Sequence, residues 1–343
     1  MACRLDAGFL SCRSINKNID EGCHDTARAL EFAYDSLLLM ARSLAGAQEL
    51  EKVRIVYASR SIPFLSSFVA KEKGFYRSHG LDVELIQVAP RLAITALATN
   101  EVDYSMNIGS SLRAAMRGLA VRAVSSSTVA PFFALVTREK SVQDLKGKIV
   151  GVTDPGGTNY QVTKIILSQY GLGPVKDVPL ITIGEEKLLL DALIAGRIAA
   201  AAVSPPWPFE AERHGFRILV KASEVVQFPF VGVSTHLEKI KNKRAQVKRL
   251  IWAELDALKF IRERKDETVD LIGRLFRMER EVAQKSYDFT ASFFSKDARI
   301  NPDGVKKLIA IEQETGGLKA DVSVGQIADL SLVDEVHREL AGR

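Results

Sequence analysis

Two α/β lobes, each on a mainly parallel sheet, with a helical C-terminal tail packing on the first, are what this sequence predicts. Three observations carry that prediction: a strand-helix-strand-helix-strand order occurs twice, the strands of both copies break into polar loops at matching points, and the chain after Ser234 is almost wholly helical. Alternation of strands with helices requires parallel pairing, and ligands of such open sheets gather at the carboxyl ends of the strands. Two such sheets in one chain place two sets of strand ends across a cleft.

The first copy opens with Val53-Arg54-Ile55-Val56-Tyr57, a β-branched run that stops at Ala58-Ser59-Arg60-Ser61; the second opens with Lys148-Ile149-Val150-Gly151-Val152 and stops at Thr153-Asp154-Pro155-Gly156-Gly157-Thr158. Helices follow over Phe64 to Ser78 and Asn159 to Tyr170, both closing at Gly-Leu (Gly80-Leu81, Gly171-Leu172), where glycine suits a left-handed cap. Second strands are expected at Val83 to Val88 and Val178 to Ile183. Third strands follow a helix end and a turn, within Thr95 to Met106 and Asp191 to Val203.

Phe228 to Ser234 reads as a strand, and helices are expected at Lys241 to Arg264, Lys265 to Phe276, Arg280 to Phe294 and Pro302 to Thr315. In the first of these Val247, Leu250, Ile251, Leu255, Leu258 and Ile261 share one face, which is packing rather than chemistry. A tail of this size needs a sheet to cover, and the first lobe offers one, so the chain crosses between lobes near Leu135-Val136-Thr137 and near Val231-Gly232-Val233. The expected division is residues 48–136 plus 232–343 for lobe one and 137–231 for lobe two, with a two-strand hinge between them.

Residues 1–47 form a leader that does not resemble the rest. Its apolar stretch from Ser36 to Ala47 ends in small residues at the spacing of a signal-peptidase site, but Glu31 and Asp35 precede it and Arg42 interrupts it. An atypical export signal and a disordered or amphipathic leader both fit. Of 343 residues 47 are Lys or Arg and 42 are Asp or Glu, a net charge of +5. The charges are interspersed, without the dense basic block that nucleic acid demands. The three cysteines (Cys3, Cys12, Cys23) lie in the leader, and the five histidines have no helical ligand spacing, so neither a metal nor any other cofactor is expected.

Asp144-Leu145-Lys146-Gly147-Lys148-Ile149-Val150-Gly151-Val152, the earlier Glu101-Val102-Asp103 after Ala-Leu, and Pro205-Pro206-Trp207 before Gly215-Phe216 resemble the NMT1/THI5-like group of extracytoplasmic solute-binding proteins of ABC importers, which includes nitrate, sulfonate, taurine and thiamine-pyrimidine binders. The resemblance covers roughly Val53 to Val333. It implies a type II periplasmic-binding-protein fold that captures a small molecule and presents it to a membrane permease. One departure is Ala199, where the family places Asp.

The loops themselves suggest the ligand groups. Gly156-Gly157-Thr158-Asn159 follows a strand and opens a helix, so free N–H groups and the helix dipole favour an anionic or strongly polar group; a tight turn is the other reading of those glycines. Ser59, Arg60 and Ser61 occupy the matching point of the first copy. Asn107-Ile108-Gly109-Ser110-Ser111 and Pro205-Pro206-Trp207 end the two third strands, one offering polar groups and the other a flat apolar face, with Phe228, Phe132 and Tyr160 as neighbours. Thr128, with Ser126 and Ser127, either adds hydroxyls or forms a simple turn, and Arg91 is a further basic candidate. The candidate binding set is therefore Ser59, Arg60, Ser61, Asn107, Ser110, Ser111, Thr128, Gly157, Thr158, Asn159, Pro205, Trp207 and Phe228.

Glu185-Glu186 reads as a helix cap without a catalytic partner, and no nucleophile elbow or His-Glu-x-x-His motif occurs. The expected function is a non-enzymatic, monomeric, periplasmic or otherwise extracytoplasmic receptor that docks transiently on an ABC permease. Its ligand would be a small organic or anionic molecule: a sulfonate, nitrate, an aromatic acid or a pyrimidine-like ring. Two alternatives remain open at this point, an enzyme of thiamine-pyrimidine or quinone biosynthesis on the same fold and a ligand-sensing module without transport.

Overall fold

The computed structural model describes residues 49–314, 318 and 321–342, so the expected leader lies outside the described residues. Ten strands form two five-stranded mixed sheets. The first contains β1 (Glu51–Tyr57), β2 (Leu81–Gln87), β3 (Tyr104–Ser105), β4 (Val121–Ala123) and β10 (Ser234–His236) in the order β2-β1-β3-β10-β4. The second contains β5 (Ala134–Thr137), β6 (Val150–Val152), β7 (Leu180–Thr182), β8 (Ala200–Val203) and β9 (Arg217–Lys221) in the order β7-β6-β8-β5-β9.

The orders correspond strand for strand, which is the repeat seen in the sequence. In each sheet the opening strand pairs in parallel with the second and third strands of its copy, β1 with β2 and β3, and β6 with β7 and β8. Each sheet then takes one antiparallel strand, β10 in the first and β5 in the second. Those two strands are where the chain arrives after crossing from the other sheet. Val53, Ile55 and Val56 of β1 and all of β8 are buried. Helices cover both faces of a parallel sheet, so its strands become continuous apolar runs.

The helices that follow the strands are α1 (Leu65–Glu72), α2 (Phe75–Ser78), α3 (Pro90–Ala98), α4 (Ile108–Met116), α5 (Thr158–Gln169), α6 (Glu186–Ile194) and α7 (Trp207–Arg213). The single helix expected over Phe64 to Ser78 is divided into α1 and α2 at Gly74, whose φ of 74° is left-handed. The tail comprises α8 (Leu237–Asn242), α9 (Arg244–Glu263), α10 (Lys265–Phe276), α11 (Arg280–Thr290), α12 (Pro302–Glu314), α13 (Val324–Ile327) and α14 (Ser331–Ala341).

The amphipathic face of α9 packs on α1 and α2 beside the first sheet, as expected, and α14 packs on α9. The tail also reaches the second sheet's elements. Helix α11 meets α7 through Phe289 and Phe209, with ring centroids 5.5 Å apart, and the Lys221 ammonium of β9 stands 5.6 Å from the Phe289 centroid.

Two further expectations are corrected. Leu135-Val136-Thr137 is not a crossing: it lies within β5, paired antiparallel with β8 and β9, and the chain crosses earlier, over 124–133. Phe228 to Val233 is not a strand, because its backbone serves the other crossing. Ser127 and Thr128 N–H donate to the Val231 carbonyl, Val124 N–H to the Val233 carbonyl, and Gly232 N–H to the Met106 carbonyl. The two crossings therefore run against each other. A Cβ on Gly232 would stand 2.2 Å from the Ser125 oxygen and 2.6 Å from the Ser126 Cα, so only glycine permits this approach.

Candidate functional site

The carboxyl ends of the parallel strands of both sheets converge on one cavity of about 460 Å³. Ala58 and Ser59 follow β1, Gln87 ends β2, Asn107 follows β3, Thr153 and Asp154 follow β6, Thr182 ends β7 and Gly184 follows it. Phe64, Phe133, Phe230, Pro90 and Leu188 supply apolar walls, with the Phe133 and Phe230 rings 4.9 Å apart. The mixture suits a mainly apolar body oriented by a few polar groups.

Polar contacts join the two sides of the cavity. Ser110 Oγ donates to the Gly156 carbonyl (3.1 Å), and Ile62 N–H donates to the Pro205 carbonyl (2.8 Å). The Arg113 guanidinium, on α4, donates through Nη2 to Ser110 Oγ (3.2 Å) and to Thr158 Oγ1 across the gap (3.1 Å). Gln87 donates to the Glu185 carboxylate. Arg113 is 3% exposed; its Nε stands 3.9 Å from Glu312, and its Nη1 has no partner. Burial lowers its pKa to about 10, with Glu312 acting in the opposite sense.

Glu186 is the most perturbed acid of the site. At 4% exposure, its Oε1 accepts from Ser59 Oγ (3.1 Å) and Ser61 Oγ (3.4 Å), both on the opposite side, and its Oε2 accepts from Ser204 N–H and Ser204 Oγ (2.6 Å). Burial raises its pKa to about 7, although the hydroxyl and amide donors pull it down. Ser59 lines the cavity, so by donating to Glu186 it presents a polarised acceptor to whatever the cavity holds.

Five of the sequence candidates line this cavity: Ser59, Asn107, Ser110, Thr158 and Asn159. Asn159 does so with its amide already engaged, donating to the Ala202 carbonyl and accepting from Thr153 N–H (3.0 Å), which pins α5 to β6 and β8. The others lie elsewhere. Ser61 is fully buried behind Ser59. Ser111 bonds Ser234 and the Asn107 carbonyl. Thr128 accepts from Val231 N–H, and Ser126 and Ser127 bond Thr128 and Glu254, so all three serve the crossings. Phe228 is 1% exposed in the core. Pro205 supplies its carbonyl to Ile62. Arg60 donates to the Leu275 carbonyl (2.9 Å) and, with Trp207, lines an adjoining outer chamber.

Two of the N–H groups expected at Gly156-Gly157-Thr158-Asn159 already have partners within the loop. Asp154 Oδ1 accepts from Gly156 N–H (2.8 Å) and the Asp154 carbonyl accepts from Gly157 N–H (2.8 Å), so the loop's own acid satisfies these donors. These glycines serve close approach. A Cβ on Gly156 would lie 3.3 Å from Arg91 Cβ, and one on Gly157 would lie 3.2 Å from Pro90 Cγ, both on the opposite side. Gly157→Ala is expected to push the two sides apart by a few tenths of an ångström and weaken ligand binding about fivefold, equivalent to ~1 kcal/mol, as titration calorimetry would show.

Glu186, Gln87, Arg113, Phe133 and Phe230 were not among the sequence candidates. An acid at a helix start looks like a cap, and a mid-helix Arg looks solvated. Among the described residues, no group of three or more His, Cys, Asp or Glu is placed to hold a metal ion.

The curated protein YtlA of Bacillus subtilis (strain 168) is 24% identical over 328 residues, covering 89% of this chain and 96% of YtlA. The periplasmic nitrate-binding protein NrtA from Synechocystis PCC 6803 superposes with a TM-score of 0.72 at 16% identity, covering 86% of this chain and 90% of its own. The alkanesulfonate-binding protein SsuA from Xanthomonas axonopodis pv. citri, bound to MOPS, gives 0.69 at 16% identity, covering 82% and 99%. The desulfurization enzyme DszB shares the fold as well, at a TM-score of 0.61 and 15% identity, covering 84% and 99%. These likenesses establish the periplasmic-binding-protein fold. The profile of the NMT1/THI5-like family matches residues 62–268, more than half of the sequence, and the chain belongs to that family.

Proposed function

We propose that this protein is the extracytoplasmic receptor of an ABC importer, holding one small molecule between the lobe built on the first sheet and the lobe built on the second and closing about the paired crossings. Family membership and the converging strand ends support the receptor reading. Among the described residues, no helix is long and apolar enough to cross a membrane; the permease is the partner that the receptor reading requires.

The observation that carries the ligand class is the charge of the wall. Asp154, Glu185 and Glu186 line the cavity, and no Lys or Arg does. Such a wall repels nitrate or a sulfonate and attracts a cationic or donor-bearing head, such as an amine or an amino-substituted pyrimidine-like ring. Of the ligand classes expected from the sequence, the pyrimidine-like ring fits best.

The enzyme reading draws support from DszB and from an acid with a pKa near 7 in the cavity. Against it, the hydrogen bonds of both Glu186 oxygens go to protein donors, Ser59, Ser61 and Ser204, which tie the acid into the junction between the two sides of the cavity.

A melting screen tests the proposal. Aromatic amines and aminopyrimidines should raise the melting temperature, because a ligand at a hundred times its Kd adds about 2.7 kcal/mol. Hits confined to nitrate and simple sulfonates would refute the ligand class, and mass-spectrometric turnover of any hit would refute the receptor.

A further inference from the structure

A third length of chain runs beside the two crossings. After α11 the tail passes along the first crossing over 293–298: Val129 N–H donates to the Phe293 carbonyl (2.9 Å), Ser295 N–H to the Ser127 carbonyl (2.9 Å) and Ser126 N–H to the Ala298 carbonyl (2.8 Å), with Thr128 opposite Phe294 in an antiparallel bridge. The tail is rooted on the side of the first sheet. Tyr287 Oη of α11 donates to the Ile261 carbonyl of α9 (2.8 Å), Asp288 of α11 pairs with Lys265 of α10 (2.8 Å), and α9 packs on α1 and α2.

Helix α11 nevertheless holds an element on the side of the second sheet. Phe289 meets Phe209 of α7 edge to face, the centroids 5.5 Å apart and the ring planes at 75°, and the Lys221 ammonium of β9 stands 5.6 Å from the Phe289 centroid. From Phe289 the rings continue through Phe293 (6.2 Å) and Phe132 (5.3 Å) to Phe230 (6.1 Å), which lines the cavity. Helix α7 begins at the cleft itself: the Pro205 carbonyl, two residues before it, accepts from Ile62 N–H across the gap (2.8 Å), and Phe209 follows one helical turn later. A rotation that breaks the Ile62 bond moves α7 as one body and draws Phe209 off Phe289. Packed contacts hold discrete arrangements rather than sliding continuously, so the ring is either seated or released.

We propose that α11 is a clasp: rooted on the first lobe and continued along the hinge, it grips α7 of the second lobe outside the cleft and holds the two lobes closed. This rests on the proposed closing of the lobes and not on the ligand class. The clasp adds to closure through contacts that no ligand touches, so its loss lowers the closed population and weakens every ligand by the same factor.

The test is hydrogen–deuterium exchange of the full chain without ligand, read at the Ile62 amide, which opening frees, against the Met106 amide, which is bonded to the Val56 carbonyl beside the first sheet. In wild type Ile62 should exchange faster than Met106, because opening the lobes costs less than unfolding them. Phe289→Ala should speed Ile62 about tenfold, equivalent to ~1.4 kcal/mol. Lys221→Gln, at an exposed position that leaves the core intact, should speed it about twofold. Leu332→Ala, which empties a buried position of α14, should lower the melting temperature and leave the Ile62 rate unchanged. An Ile62 rate unmoved by Phe289→Ala, or by Lys221→Gln where the alanine variant does not fold, or raised equally by Leu332→Ala, would overturn the clasp and leave the closing of the lobes intact. Ile62 and Met106 exchanging at one rate in wild type would overturn the closing itself and the clasp with it.

Discussion

Gly232→Ala should destabilise the protein by about 3 kcal/mol, the upper part of the range for overpacking a filled site. The new methyl would sit 2.2 Å from the Ser125 carbonyl oxygen and 2.6 Å from the Ser126 Cα. Both are backbone atoms and cannot rotate away as a side-chain tip would. The strand of chain that carries them also holds Val124, Ser127 and Thr128 against Val231 and Val233, so relief of the clash breaks hydrogen bonds on either side of it. Thermal or urea denaturation reads the loss directly. Because the damage falls on both crossings at once, ligand affinity should fall with stability. A variant that melts like wild type would show that the crossings are not in the close contact described.

Glu186→Gln should remove most of the pH dependence of stability between about pH 4.5 and 7. The folded-state pKa of Glu186 is near 7, against 4.5 for the free group, so the native protein keeps this proton where the unfolded chain has lost it. Stability therefore falls as the pH rises through that window and levels off above about 7. A displacement of this size corresponds to roughly 3 kcal/mol, from 1.36 kcal/mol per pH unit. The glutamine, uncharged at every pH, mimics the protonated form and should melt higher than wild type at pH 8. It should also bind cationic ligands at least about tenfold more weakly there, since the attraction of the buried charge is gone. A glutamine variant with the wild-type pH profile of melting would contradict the assignment of this acid.

The sequence carried the architecture because the repeat is local. Each β-branched run ending at a polar loop announces a parallel strand and the place where its tip lies, and Ser59, Asn107, Ser110, Thr158 and Asn159 are legible because they lie in the loop or the first helical turn after such a strand. What escaped depends on distant pairing. Glu186 meets Ser59 and Ser61 across 127 and 125 residues, and Arg113 meets Thr158 across 45, so neither role shows in local spacing. The Phe228 to Ser234 segment had the composition of a strand, but its hydrogen bonds were taken by the crossing beside it. In Thr153-Asp154-Pro155-Gly156-Gly157 the aspartate precedes the first glycine by two residues, the spacing at which an Asp side chain captures a backbone N–H, so this one contact is legible in the sequence.

The most direct test is the affinity for an arylmethylamine such as benzylamine, whose ammonium stays charged throughout, measured by calorimetry from pH 5.5 to 8. A cation beside the Glu186 carboxylate favours its ionised form, so binding should strengthen by up to about tenfold per pH unit below 7, level off above it, and flatten in Glu186→Gln. Affinity that weakens as the pH rises, in wild type and variant alike, would mean that the cleft selects anions and that its acidic wall is not what the ligand meets.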